Sequence, residues 1–423
     1  MTSITRAIGN SLKPLAARVL LTYERLESGV AYHPGSDEVL ADPYDLYEQL
    51  RRKDPIHRMR LINAWAISSY RDVDAILRDH ARFSNRGLPT DTSVRIGPLG
   101  LLALDPPDHT RLRALVSRAF TPKSVAALQP RVEQIADDLL HAIEGQDRFD
   151  LMNAFAVPLP VIVIAQMLVV HTEDLDRFKA WSNLISLSIE PILDDENIKR
   201  ARQARVELEA YFEEIIAQRR RKPQADLTSD LVAAEEAGDR LTHAELVTTL
   251  ILLLVAGNET TRNLIGNGML ALLSNPDQFQ RLRRQPDLLD LAIHEFLRYD
   301  PPVQSDRRIA LEDVEIRNKR IRAGQPVITL IGAANRDPTV FSNPNTLDIG
   351  RKKTSHLSFG RGIHYCLGAS LAVMEAKVAF AALLKRYASI RLSAEPVRRH
   401  QITLRGLNEL WVEVERSAKN PGA

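Results

Sequence analysis

Apolar residues recur at helical spacing from Pro107 to Ser274, a period that predicts a largely helical chain. Val125–Ile143, Val161–Val170 and Ala204–Arg219 all carry it. The last runs into Arg219, Arg220, Arg221 and Lys222, which read as a solvated helix end. One run is longer. Thr242-x-x-Glu245 forms a capping box before an apolar stretch that continues to Ser274 and stops at Asn275-Pro276. At 1.5 Å per residue it spans about 46 Å. Asp287–Tyr299 and Ala369–Arg386 are also helical in pattern, whereas Ile56–Ile67, Asp313–Ile321, Gln325–Ile331 and Leu404–Val414 hold strand-like pieces. Arg86–Pro98, with Gly87, Pro89, Gly97 and Pro98, reads as a long loop of the kind that forms lids. The expected fold class is mainly α (α+β), with a leader over residues 1–31 and a single domain over residues 32–423.

The composition is that of a soluble globular protein: 423 residues, 44% hydrophobic and 26% charged. Basic and acidic residues number 56 and 54, a balance that gives no reason to expect nucleic acid as a partner. The most apolar runs, Phe155–Val170 and Leu246–Gly257, fall short of the ~20 residues that span a bilayer. A cytoplasmic monomer is the expectation. Between Met1 and Tyr23, Arg6, Lys13 and Arg18 accompany no acid, and Ile4, Ile8, Leu15 and Val19 keep helical spacing. This leader reads either as a transit or interfacial segment or as a leader packed on the domain or frayed. Pro14 and Arg18 break the run a secretory signal would need.

The chain has one cysteine, Cys366, so no intramolecular disulfide is possible. Gly360, Gly362 and Gly368 surround it, which allows sharp turns and close backbone approach to a flat ligand. The helical run from Ala369 begins just after it, and a helix N-terminus favours a thiolate. Gly360-x-Gly362-x-x-Tyr365 lacks the third glycine of a dinucleotide loop, and no Cys-x-x-Cys-His is present for covalent haem. An inert buried thiol would leave the glycines unexplained.

Elsewhere, Ala256-Gly257-Asn258-Glu259-Thr260-Thr261 interrupts the long apolar helix with polar residues. Such a local inconsistency marks either a functional site or a Thr260 hydroxyl bonded back to its own helix beside an exposed Glu259. Glu295 falls on the apolar face of Asp287–Tyr299 and needs a partner, and Arg298 is in reach three residues on. His109 and Arg113 are four apart, on one face of a helix opened by Pro106-Pro107.

At the cysteine the sequence resembles the cytochrome P-450 family, whose signature Phe-x-x-Gly-x-x-x-Cys-x-Gly is met by Phe359, Gly362, Cys366 and Gly368, with His364 also in place. Ala-Gly-x-Glu-Thr-Thr at Ala256–Thr261 and Glu-x-x-Arg at Glu295–Arg298 match two further family motifs, and the likeness runs from about Asp42 to Val414. It implies a helix-rich prism holding haem b (iron protoporphyrin IX) between the long helix and the cysteine loop. Cys366 would be the axial ligand of iron, with Phe359, Gly360 and Gly368 against the cofactor. Ala256 and Gly257 would leave room for dioxygen, while Glu259 and Thr260 would lead protons inward from water. His109, Arg113, Arg308, His356 and His364 would hold the propionates, and Arg351 would join Glu295 and Arg298 in a structural ion cluster.

The implied activity is monooxygenation, hydroxylation or epoxidation, of a small lipophilic substrate. Its contacts would come from Arg86–Leu102, Phe178–Leu193, Leu252–Thr260, Pro302–Gln304 and Leu407. No flavin or nicotinamide fingerprint is present, so electrons would come from a separate ferredoxin with its reductase. Arg111, Arg118, Lys123, Lys352, Lys353 and Arg361 would offer that partner a basic face. A peroxide-driven haem enzyme and a non-catalytic haem sensor or carrier are the alternatives.

Overall fold

A computed structural model describes residues 17–87, 95–97, 100–168, 170, 172–191, 193–224, 226–236, 241–352 and 355–417. The first half of the leader, and the tip of the loop after Arg86, lie outside them. The helices that position the site are α1 (17–28), α2 (Asp108–Val116), α3 (Pro122–Ala142), α4 (Pro158–Met167), α5 (Leu175–Ile185), α6 (Asp195–Arg221), α7 (His243–Leu273), α8 (Leu289–Tyr299) and α9 (Ala369–Arg386). The fold is mainly α with small sheets, as the period implied.

Helix α7 is the axis of the molecule. Its capping box is complete, because the Thr242 hydroxyl accepts the Glu245 N–H while the Glu245 carboxylate accepts the Thr242 N–H. That satisfies amides which a helix start otherwise leaves open. This is the one described helix long and apolar enough to cross a membrane. Here it is a core helix, with 56% of its most apolar window buried. One half, around Leu264, Ile265, Met269 and Leu272, packs with α4, α8 and α9 in a core that α3 also joins. The other half, around Leu246, Leu250 and Leu254, packs with α4, α5 and α6.

The strands are β1 (Ile56–Met59), β2 (Ala64–Ile67), β3 (Phe83–Ser84), β4 (Arg148–Asp150), β5 (Ser305–Ala310), β6 (Val314–Ile316), β7 (Lys319–Ile321), β8 (Pro326–Leu330), β9 (Tyr387–Leu392), β10 (Val397–Arg398), β11 (Leu407–Glu409) and β12 (Trp411–Arg416). They form a five-stranded sheet in the order β1-β2-β8-β5-β3, a three-stranded sheet β4-β12-β9, and the pairs β6-β7 and β10-β11. In the larger sheet only β2 and β8 run parallel, with Trp65 opposite Val327.

The second half of the leader is welded to this sheet. Glu24 of α1 is 1% exposed. Its carboxylate accepts the Tyr32 and Arg60 N–H groups and lies 3.2 Å from Nε2 of His57 on β1. A buried carboxylate needs such partners, so α1 is packed on the domain.

Candidate active site

The cysteine loop folds as its glycines require. Gly360 and Gly362 have φ of +69° and +67°, a region L side chains avoid. A Cβ on Gly362 would also stand 2.8 Å from the Leu77 carbonyl oxygen. The turn closes with the Cys366 N–H donating to the Phe359 carbonyl at 2.8 Å. The space beside Gly368 is open, with nothing within 4 Å of a built Cβ. Burial pushes the Cys366 thiol up, against the Gly368 N–H and the Arg113 charge, which pull it down. The pull of the helix start favours the thiolate, as expected, but in the protein alone burial outweighs it. A coordinating metal reverses that balance, because a bound thiol is deprotonated outright.

Beside the loop lies a cationic recess. His109 on α2 is 1% exposed, and neither of its ring nitrogens has a hydrogen-bond partner. His364 stacks against it, ring centroids 4.2 Å apart, with Nε2 likewise unpartnered. Burial, the neighbouring imidazole and Arg308 push His364 down to about 3. Burial and Arg113 lower His109 as well. Arg308 on β5 is buried, and it pairs with Asp306 at 2.8 Å. Arg113 donates to the Tyr365 carbonyl. Two neutral imidazoles, His109 buried and His364 half-buried, flanked by guanidiniums form a site that an anion would satisfy. A flat, metal-centred cofactor with carboxylate arms fits these donors, the open space at Gly368 and the cysteine.

His356 departs from this group. Its Nδ1 accepts the Ser358 N–H at 3.3 Å and its Nε2 lies 3.1 Å from His294 Nδ1. Both nitrogens are spent within the protein, so the structure does not offer His356 to a propionate. Phe359 stacks between His356 and Tyr365, with ring centroids at 5.7 and 6.3 Å.

On α7, Ala256 is exposed and Thr260 partly so, although Leu254 and Asn258 between and beside them are buried. In the middle of a core helix, exposure on one face marks a wall of internal space. Gly257 points elsewhere: its Cβ would meet Ile164 of α4 at 3.3 Å. Its smallness serves helix packing, which corrects its placement beside dioxygen. The Thr260 hydroxyl donates to the Ala256 carbonyl at 2.9 Å. Glu259 is neither exposed nor open to water. It is 1% exposed, lies 2.8 Å from Arg262, and also pairs with Arg399. Its Oε1 has no partner, and burial, opposed by Arg399, pushes its carboxyl up to about 7. Arg399, 140 residues further on, carries no local sequence signal; only the fold brings it here.

The ion cluster closes between α8 and residues 348–351. Arg298 meets both Glu295 oxygens at 2.8 Å, Arg351 donates to Oε2 at 2.9 Å, and the Asp348 N–H donates to Oε1 at 2.9 Å. Arg298 also donates to the carbonyls of Asn335, Pro344 and Thr346. Of the expected substrate contacts, Phe178, Gln304 and Leu407 are buried in packing. The basic face is partly neutralised: Arg111 pairs with Glu245 and Asp108, and Arg361 with Asp74. Lys353 lies outside the described residues.

A family model described as Cytochrome P450 matches residues 41–406, which takes in the cysteine loop, the recess beside it, the Glu259 site and the ion cluster. The chain belongs to the cytochrome P450 family. The polyketide biosynthesis cytochrome P450 PksS of Bacillus subtilis is 39% identical, over 91% of this chain and 99% of that protein. Vitamin D(3) 25-hydroxylase of Pseudonocardia autotrophica is 39% identical, over 88% and 93%. Among solved structures, P450BioI in complex with acyl carrier protein ligated to hexadec-9Z-enoic acid superposes with a TM-score of 0.85, at 39% identity, covering 90% of this chain and all of that one. CYP109E1 from Bacillus megaterium with testosterone gives 0.84, at 37% identity, over 89% and 99%. As a cytochrome P450 this chain is a haem-thiolate monooxygenase, and haem b is its cofactor.

Proposed function

We propose that this cytochrome P450 inserts oxygen into a small lipophilic molecule, by hydroxylation or epoxidation, in the bacterial cytoplasm as a monomer, using electrons from a separate ferredoxin and its reductase. The observation that carries the reading is the meeting of Cys366 with the unpartnered His109 and His364 between Arg113 and Arg308. Bound haem supplies the redox centre at which dioxygen is reduced and one of its oxygen atoms passes to substrate.

The chain does the rest. Cys366 would ligate the haem iron, with the Gly368 N–H tempering the charge on sulfur. His109, Arg113, Arg308 and His364 would hold the propionates, whose charge would offset the guanidiniums. Ala256 would leave room for dioxygen. Glu259, with a carboxyl near neutrality, holds a proton that the Thr260 hydroxyl can pass on when it turns from the Ala256 carbonyl. Arg262 and Arg399 keep the carboxylate from drifting. Glu295, Arg298 and Arg351 fix the fold behind the cysteine loop and touch no reactant. Hexadec-9Z-enoic acid and testosterone, the ligands named for two relatives, are both lipophilic, which supports the substrate class.

The test is spectroscopic. The reduced protein with carbon monoxide should give the absorption band of a thiolate-ligated haem, and Cys366→Ala should abolish it. Binding of lipophilic compounds should then displace the Soret band. Thr260→Ala should keep the carbon-monoxide band yet waste electrons, so that less product forms per electron consumed. Unchanged coupling would refute the proton route.

A further inference from the structure

The connection between α5 and α6 hides a carboxylate that the proton route does not use. Helix α5 runs into a 3-10 turn at Ser186–Ile189, and Glu190 follows in extended backbone. The residue is 4% exposed. Its carboxylate faces backbone from the far end of the sequence. The Ile402 N–H donates to Oε2 at 2.7 Å, the Thr403 N–H to both oxygens at 3.1 and 3.2 Å, and the Leu404 N–H to Oε1 at 3.4 Å. The Thr403 hydroxyl adds a bond to the Ile189 carbonyl at 3.2 Å.

The other edge of segment 402–404 is stitched to Pro302–Gln304. The Gln304 N–H donates to the Thr403 carbonyl at 2.9 Å, the Arg405 N–H donates to the Pro302 carbonyl at 2.8 Å, and Val303 bridges Leu404. One carboxylate therefore joins the end of α5 to segment 402–404, which backbone bonds tie in turn to Pro302–Gln304. Burying a carboxylate is costly unless it is fully bonded. Arg399, whose charge acts on it, is already paired with Glu259. Amide donors from one short segment fix where that backbone lies, which general ion pairing would not.

We propose that Glu190 is a positioning residue: it locks residues 186–190 to segment 402–404, and through that segment to Pro302–Gln304, so that two stretches expected to line the substrate cavity move as one piece. The inference rests on the function proposed above and on the expected substrate contacts Phe178–Leu193 and Pro302–Gln304.

Amide hydrogen exchange of the haem-loaded protein tests it, comparing wild type with Glu190→Gln and Thr403→Val, and with Glu196→Gln on the exposed face of α6 as control. In Glu190→Gln, amides 402–404 and 186–190 should both exchange at least about tenfold faster, since bonds to a charged acceptor are lost. Thr403→Val should accelerate the same two segments to a lesser degree, and it serves alone if the glutamine variant fails to fold. Association of 4-phenylimidazole, followed by its Soret shift, should quicken in step, with the carbon-monoxide band unaltered. Acceleration confined to one segment, or none, overturns the proposal. Absence of the carbon-monoxide band in the wild type would instead overturn the haem-thiolate assignment of Cys366, which the exchange result does not depend on.

Discussion

Glu259 and Glu295 are both buried acids, yet their partners leave them in different roles. Glu295 has every oxygen occupied by Arg298, Arg351 and a backbone amide. Removing it strands two guanidiniums, so Glu295→Ala should cost about 3–5 kcal/mol in denaturant unfolding. Glu259 keeps one oxygen free and titrates near 7. Burial raises this carboxyl above its ordinary value and Arg399 opposes the rise. Arg399→Ala should therefore move the titration upward by about one pH unit, as loss of an adjacent opposite charge does. The protonated carboxyl stretch in infrared difference spectra, assigned through Glu259→Gln, checks the direction; a downward or absent shift would contradict it. Glu295 was legible in the sequence because its helix has a clear apolar face. Arg399 was not. Nothing in Val397-Arg398-Arg399-His400 tells one arginine from the next, and the contact spans the fold.

At the level of elements, α7 was readable to its ends, since Thr242, Glu245 and Asn275-Pro276 mark both termini by local hydrogen bonding and sterics. Thr242→Ala should cost about 1 kcal/mol in thermal unfolding. Strand β5 was missed because Ser305-Asp306-Arg307-Arg308 is polar, and its place is set by pairing with β8. Strand β9 follows α9 with no break, its C-cap already extended at Tyr387. Only pairing with β12 declares it. Periodicity names the buried face of an element but not the neighbour that receives it, which is why Gly257 was assigned to the cofactor rather than to Ile164. In the cysteine loop, backbone geometry leaves no such latitude. Gly362→Ala must adopt positive φ at about 1–2 kcal/mol and must also push against Leu77. The expected outcome is poorer haem incorporation, read as a lower Soret-to-protein absorbance ratio, with the helices intact by far-UV circular dichroism.

Across the whole molecule, Asp300 collects segments from both ends of the chain. It accepts from Tyr44 at 2.6 Å and Arg405 at 2.8 Å and pairs with Arg398 at 3.2 Å. Burial raises its carboxyl, but the guanidiniums of Arg405 and Arg398 and the Tyr44 hydroxyl outweigh it and hold the group at about 2. Because the folded state lowers this acid below its ordinary 3.8, its contribution is present above about pH 4 and is lost as pH falls through about 2. Wild type should lose stability across that window more steeply than Asp300→Asn, as followed by urea midpoints. No stretch of sequence could announce this hub, since its members are neighbours only after folding.

The family model begins at residue 41, but Glu24 is a keystone laid earlier. Trimming the gene to the shared region would remove Tyr32 together with Glu24 and strip His57 and the Arg60 amide of that acceptor beneath β1. Such a shortened protein is expected to melt at lower temperature and to express in less soluble form than one that keeps residues 17–28. Where the family model starts and where the folding unit starts are here two different places on the chain.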